Sequence, residues 1–117
     1  MYDMFYNCSN LTDISALANW NTSSVTNMQG MFYQCSNLTD ISALVNWNTS
    51  SVITMVNMFY NTKISDISPL SSWNVSAVTN MTSLFSTCSN LTSLSFQFQL
   101  ILFQLQLCYR CFINVLI

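Results

Sequence analysis

The sequence predicts an α/β solenoid, a leucine-rich-repeat-like stack of about four units, each with short extended segments and one short helix. Three observations predict it. The chain repeats itself, as MFYNCSNLTDISALANWNTSSVTNMQG from Met4, MFYQCSNLTDISALVNWNTSSVITMVN from Met31, MFYNTKISDISPLSSWNVSAVTNMTS from Met58, and LFSTCSNLTSL from Leu84. The period is about 27 residues, inside the range that marks repeat architectures. Every unit carries an apolar stripe at helical spacing, and no unit alone can bury that stripe, so neighbours must cover one another.

The helix is predicted from Met28, Met31, Phe32 and Cys35, which fall at i, i+3, i+4 and i+7, with Asn27 placed to cap the start. The same stripe recurs as Met1, Met4, Phe5, Cys8 and as Met81, Leu84, Phe85, Cys88. Downstream, Leu38, Ile41, Leu44 and Trp47 step by three, which suits neither an α-helix nor a regular strand; short extended segments broken by turns account for it. The NWNTSSVT stretch that follows is rich in side chains that bond back to their own backbone and favour turns. Val52 then returns to the core. In register, Leu11, Leu38, Ile64 and Leu91 form one column, and Trp20, Trp47 and Trp73 another.

Residues 1–94 therefore read as one tandem-repeat domain: a partial unit, then repeats from 4, 31, 58 and 84. The third unit is one residue short, where CSNL has become TKI at Thr62-Lys63-Ile64. Met1 holds the same repeat position as Met28, Met55 and Met81, so the chain is expected to be a fragment, or a reading frame started at an internal methionine. No signal peptide is visible in MYDMFYNCSN. Open ends of such a repeat expose unpaired backbone and would allow self-association.

Composition narrows the function classes. Hydrophobic residues make up 51% of the 117 and charged residues only 5%, so Asn, Ser and Thr must carry solubility. Lys63 and Arg110 are the sole cations, which leaves nothing to neutralise a phosphate backbone and excludes nucleic acid as an expected partner. Histidine and glutamate are both missing from the sequence, and the acids are Asp3, Asp13, Asp40 and Asp66. With no base beside any hydroxyl or thiol, the expectation is a noncatalytic chain with no cofactor and no metal.

The pattern MFYQCSNLTDISALVNWNTSSV, followed in other units by TNM-x-x-MF, resembles the repeat of the BspA-like leucine-rich-repeat surface proteins over residues 1–94. That resemblance implies a cell-surface or secreted location and a role in adhesion or protein-protein interaction, and it supplies no catalytic residues. A protein or surface ligand is the expected partner. The alternative is a truncated, nonfunctional or structural spacer fragment of a larger surface protein.

Tyr6, Tyr33 and Tyr60 recur beside the Met-Phe pair and are the first candidates for an interaction surface, against simple packing at the helix edge. Asp13, Asp40 and Asp66 share one column, where a ladder of carboxylates could hold a hard cation such as calcium; surface carboxylates spread apart in water are the simpler expectation. Cys8, Cys35 and Cys88 recur at a packing position, which favours buried thiols over disulfides. Glycosylation sequons at Asn7, Asn10, Asn21, Asn37, Asn48, Asn74, Asn80 and Asn90 coincide with residues that the repeat turns require.

The tail 95–117 leaves the pattern. SFQFQLILFQLQLCYRCFINVLI alternates apolar residues with Gln at its start, as an end-capping strand would. No membrane span is expected there, given five amide side chains and Arg110. Codons can also be chosen for CYRCFINVLI so that reading one nucleotide later gives V-T-D-V-S-S-M-F, a fifth repeat out of frame. Cys108 and Cys111 form a lone C-x-x-C with no second pair to complete a zinc site.

Overall fold

In the computed structural model, residues 1–92 are described. The tail with its two cysteines, and every expectation attached to it, lies outside them.

The apolar stripe does not form a helix. From Met28 to Cys35, successive backbone N–H groups take alternate directions. Those of Met28, Gly30, Phe32 and Gln34 donate to the carbonyls of Thr54, Val56, Met58 and Tyr60 in the next unit. Those of Met31, Tyr33 and Cys35 close turns onto Met28, Gly30 and Phe32 within the unit. The Gln29 N–H donates to Asn27 Oδ1 at 2.8 Å, so Asn27 makes a side-chain turn rather than a helix cap.

Two positions per unit make this possible by turning the backbone left-handed. Asp3, Gly30, Asn57 and Ser83 form one such column, with φ of 48°, 61°, 57° and 57°; Asn7, Gln34, Asn61 and Thr87 form the other, with φ of 59°, 56°, 54° and 58°. An α-helix cannot pass through either residue. Gly, Asn and Asp adopt this conformation most readily, and they fill five of the eight places.

The step of three further along the unit is the period of chained i to i+3 turns. Leu38 N–H donates to Cys35, Leu44 to Ile41, Trp47 to Leu44 and Val52 to Thr49. Each such turn points its apolar residue inward. Short 3-10 segments form at Ser15–Asn19, Ser42–Leu44 and Ser68–Leu70.

The α/β solenoid of leucine-rich-repeat type is thereby overturned. Among the described residues there is no α-helix and no β-strand, only the three 3-10 turns and isolated parallel bridges joining Asn27 to Thr54 and Thr54 to Asn80. The body is a compact globule with extents of 33 × 31 × 21 Å. Spacing at i, i+3, i+4 and i+7 fits a series of stepped turns as well as a helix, and the left-handed positions decide between them.

Neighbouring units meet through like residues. Phe5, Phe32, Phe59 and Phe85 lie ring over ring at 5.6, 5.7 and 5.6 Å. Trp20, Trp47 and Trp73 follow at 6.4 Å spacing, their rings nearly parallel. The indole N–H of Trp47 donates to Leu17 O and that of Trp73 to Leu44 O, each at 2.9 Å, so the buried polar atom of each ring is satisfied by the preceding unit. Met28, Met31, Leu38, Leu44, Met55, Met58 and Ile64 fill the space around the rings, fully buried. The short third unit is accommodated at once: Lys63 N–H donates to Leu38 O at 3.0 Å and Ile64 is buried.

Two outcomes follow from this packing. Leu44→Ala should lower stability by about 2 to 5 kcal/mol, read as a shift in the urea midpoint, because the leucine is wholly enclosed. At Gln34, a glycine should preserve or raise stability, whereas Gln34→Val should cost about 1 to 2 kcal/mol. Equal losses for both Gln34 variants would contradict the left-handed conformation there.

Candidate functional site

The candidate residues fall in three columns, each built by the same turn in successive units. Tyr6, Tyr33 and Tyr60 follow the buried phenylalanine, and the turn that closes Tyr33 N–H onto Gly30 O aims the ring away from the core. The structure brings the three together. Their rings lie parallel at 4.6 and 4.7 Å, a closer spacing than that of the phenylalanines or tryptophans. Tyr6 is exposed and Tyr33 and Tyr60 are partly so, which leaves a continuous aromatic edge along one flank. Desolvation, then the neighbouring phenols Tyr6 and Tyr60, raises the pKa of Tyr33 and so favours its neutral phenol.

Asp13, Asp40 and Asp66 lie on a different part of the surface, all exposed. Each carboxylate accepts the backbone N–H two residues on, from Ser15, Ser42 and Ser68, at 2.8 Å. These bonds open the 3-10 turns, so the column has a local structural task. The backbone bond is the main cause that holds each carboxyl below its ordinary pKa, with the serine hydroxyl second. A shallow depression of about 440 Å³ lies beside Asp13, Ser15, Ala18, Asp40, Ser42 and Ala43. No group of three or more acids or thiols placed to hold a metal ion occurs among the described residues.

The cysteine column points inward. Cys35 and Cys88 are buried free thiols and Cys8 is an exposed one. The Cys35 thiol donates to Phe5 O at 3.1 Å and that of Cys88 to Phe59 O at 2.9 Å, so each ties its unit to the one before. Burial pushes Cys35 up to about 11 and raises Cys88, which keeps both protonated and poorly nucleophilic. Thr62 occupies the third place, with its hydroxyl on Phe59 O.

Sequence reasoning missed several polar ties between units. Thr22 and Thr49 are buried, and their hydroxyls donate to Asn48 O and Asn74 O at 3.1 and 3.0 Å. Asn37 Nδ2 donates to Ser9 O, and Asn90 Nδ2 to Lys63 O. Asn21, Asn48 and Asn74 each accept the N–H and the hydroxyl of the serine two residues on. The recurrence of threonine directly after two of the three W-N pairs, at Thr22 and Thr49, was the available signal. Polar residues repeated in strict register with a buried ring have a fixed bonding partner.

Residues 1–101 match a family model described as "Mycoplasma protein of unknown function, DUF285", and the chain belongs to that family. No curated protein and no solved structure matches the chain. No helix among the described residues is long and apolar enough to cross a membrane.

The aspartate turns give a pH dependence with a definite sign. Folded-state carboxyls held below the ordinary value of 3.8 contribute stability that is complete above that pH. The contribution is lost as pH falls through the lower folded-state values. Replacing all three with Asn, whose Oδ1 can still accept the turn bond, should flatten this acid limb in a plot of urea midpoint against pH. An identical acid limb in the variant would remove the role given to the carboxylates.

Proposed function

We propose that this DUF285 member is a noncatalytic surface module for protein-protein interaction or adhesion, displayed at the cell surface or secreted. Its tyrosine flank is the contact region. The observation that carries the reading is the ladder of Tyr6, Tyr33 and Tyr60, three parallel rings at 4.6 and 4.7 Å outside the core. Tyrosine gives large, rigid contact area with few torsions to freeze, and repetition at a fixed spacing turns individually weak contacts into a joint one.

The resemblance of the W-N-T-S-x-V-T-x-M-x-x-M-F pattern to BspA-like surface proteins supports the same reading. So does the absence of histidine and glutamate, which leaves no general base for the abundant hydroxyls. A protein or surface ligand fits a flank built from repeated aromatic rings. The aspartate column is assigned to turn formation and takes at most a peripheral part in contact.

The test is solid-phase binding of the full chain to a panel of purified host extracellular-matrix proteins and to itself. The expected result is saturable binding to at least one of them, reduced about tenfold or more by Tyr33→Ser with Tyr60→Ser. A Tyr33→Phe, Tyr60→Phe variant keeps the rings and guards against loss of fold. Binding unchanged in a serine variant whose unfolding midpoint is also unchanged would remove the ladder from the interaction. No binding across the panel would favour a structural spacer.

A further inference from the structure

Among the stacked aromatic columns, that of the tyrosines combines an easily oxidised ring, close spacing and access to solvent. The phenylalanines have no group that readily gives up an electron and a proton. The tryptophans lie 6.4 Å apart, and Trp47 and Trp73 are each only 4% exposed. Tyr33 and Tyr60 are partly exposed, and Tyr33 has a ring on either side, Tyr6 at 4.6 Å and Tyr60 at 4.7 Å. In the fourth unit Ser86 holds this position, so the ladder has no ring there.

Interplanar angles of 6° and 13° make these offset-stacked pairs. Because successive units repeat one backbone path, each ring is nearly a translated copy of its neighbour. The carbons ortho to one hydroxyl therefore lie beside the corresponding carbons of the next ring, at about the centroid spacing of 4.6 to 4.7 Å. A phenol that loses one electron and its hydroxyl proton becomes a phenoxyl radical, with unpaired density on the oxygen and on the ortho carbons. That density sits in lobes perpendicular to the ring, so stacked rings aim their reacting lobes at each other. The remaining approach is a tipping of two side chains at a solvent-facing edge.

We propose that the tyrosine ladder is a site of oxidative cross-linking, at which a carbon–carbon bond joins the ring of Tyr33 to that of a stacked neighbour, Tyr60 or Tyr6. The co-reactant is a one-electron oxidant, the ferryl haem of a peroxidase supplied with hydrogen peroxide. Each of two phenols gives up one electron and one proton, and together these reduce one hydrogen peroxide to two waters. An ortho carbon of one ring then bonds to an ortho carbon of the other. The hydrogen on each moves to its own oxygen, which restores two phenols joined as a biphenol. The product ties one unit to the next along the flank. The inference rests on the spacing of the rings and not on what the flank binds, so it stands or falls separately from the function proposed above.

The test treats the full chain, at micromolar concentration, with a haem peroxidase and hydrogen peroxide. Accessible thiols are alkylated first, because a free thiol reduces a phenoxyl radical. Dityrosine fluorescence should appear in the monomer, and mass spectrometry of its digest should show Tyr33 linked to Tyr60 or Tyr6 with two hydrogens lost. Rings fixed side by side have an effective concentration at least on the order of millimolar, so cross-linked monomer should exceed covalent dimer about tenfold or more. Tyr33→Phe keeps the stacked ring and leaves Tyr6 and Tyr60 two steps apart, so it should abolish the monomer signal. The double variant Tyr6→Phe, Tyr60→Phe, which keeps Tyr33 and removes both partners, should do the same. No dityrosine in the native chain, covalent dimer as the main product, a link confined to other tyrosines, or an undiminished monomer signal in either variant would overturn the proposal.

Discussion

The constraint on which the rest depends is the alternation of backbone N–H groups between two kinds of acceptor. From Met28 to Cys35 every N–H is accounted for: four go to the next unit, three close turns, and that of Gln29 goes to a side chain. Burying this segment with fewer partners would leave polar groups unsatisfied at about 1 to 3 kcal/mol each. A helix would satisfy the same groups internally and give the neighbour nothing to hold. Two left-handed residues per unit are the cost, of order 1 to 2 kcal/mol where the residue is not glycine, and the cross-unit bonds offset it.

Once that alternation is set, the columns follow. A bond from Phe32 to Met58 and another from Phe5 to Met31 hold successive units at a repeated offset, so like residues must meet. The rings then stack because they have no other place to go. Spacing differs with position: the tyrosines lie at 4.6 to 4.7 Å, where they directly follow the bonded backbone, and the tryptophans at 6.4 Å, further along the unit. Trp47 is held between Trp20 and Trp73, and both Trp47 and Trp73 are fastened by their Nε1, which makes that column a structural tie rather than a contact surface.

The register was legible in the sequence because repetition is independent of conformation. Leu38, Ile64 and Leu91 are buried together, and Trp20 lies on Trp47, for any local backbone that repeats. Conformation was not legible from the apolar spacing, since Met28, Met31, Phe32 and Cys35 fit a helix and a series of turns alike. The deciding signal lay in polar residues. Asp3, Gly30, Asn57 and Ser83 share a column whose common property is tolerance of positive φ. Of the candidate site, the tyrosine and aspartate columns were visible as columns. That Asp13, Asp40 and Asp66 each open a 3-10 turn was hidden, because apolar residues stepping by three fit short extended segments as well as chained turns.

The one-residue deletion in the third unit shows why core and surface can vary separately. Asn61 N–H still reaches Ser86 O and Thr62 N–H still closes on Phe59 O, so the alternation survives up to the shortened stretch. Lys63 N–H then takes Leu38 O, and Ile64 regains the buried column. The disturbance is confined to Thr62 and Lys63 because each turn closes over three residues and does not rely on the turn before it. An α-helix would have passed the phase error to every later residue. A repeat made of independent turns can thus lose a residue on its outer edge while Phe59 and Tyr60 keep their places above Phe32 and Tyr33. The aromatic flank is therefore insulated from changes in the stretches that join one turn to the next, a property suited to a surface whose neighbouring residues must diversify without disturbing its own geometry.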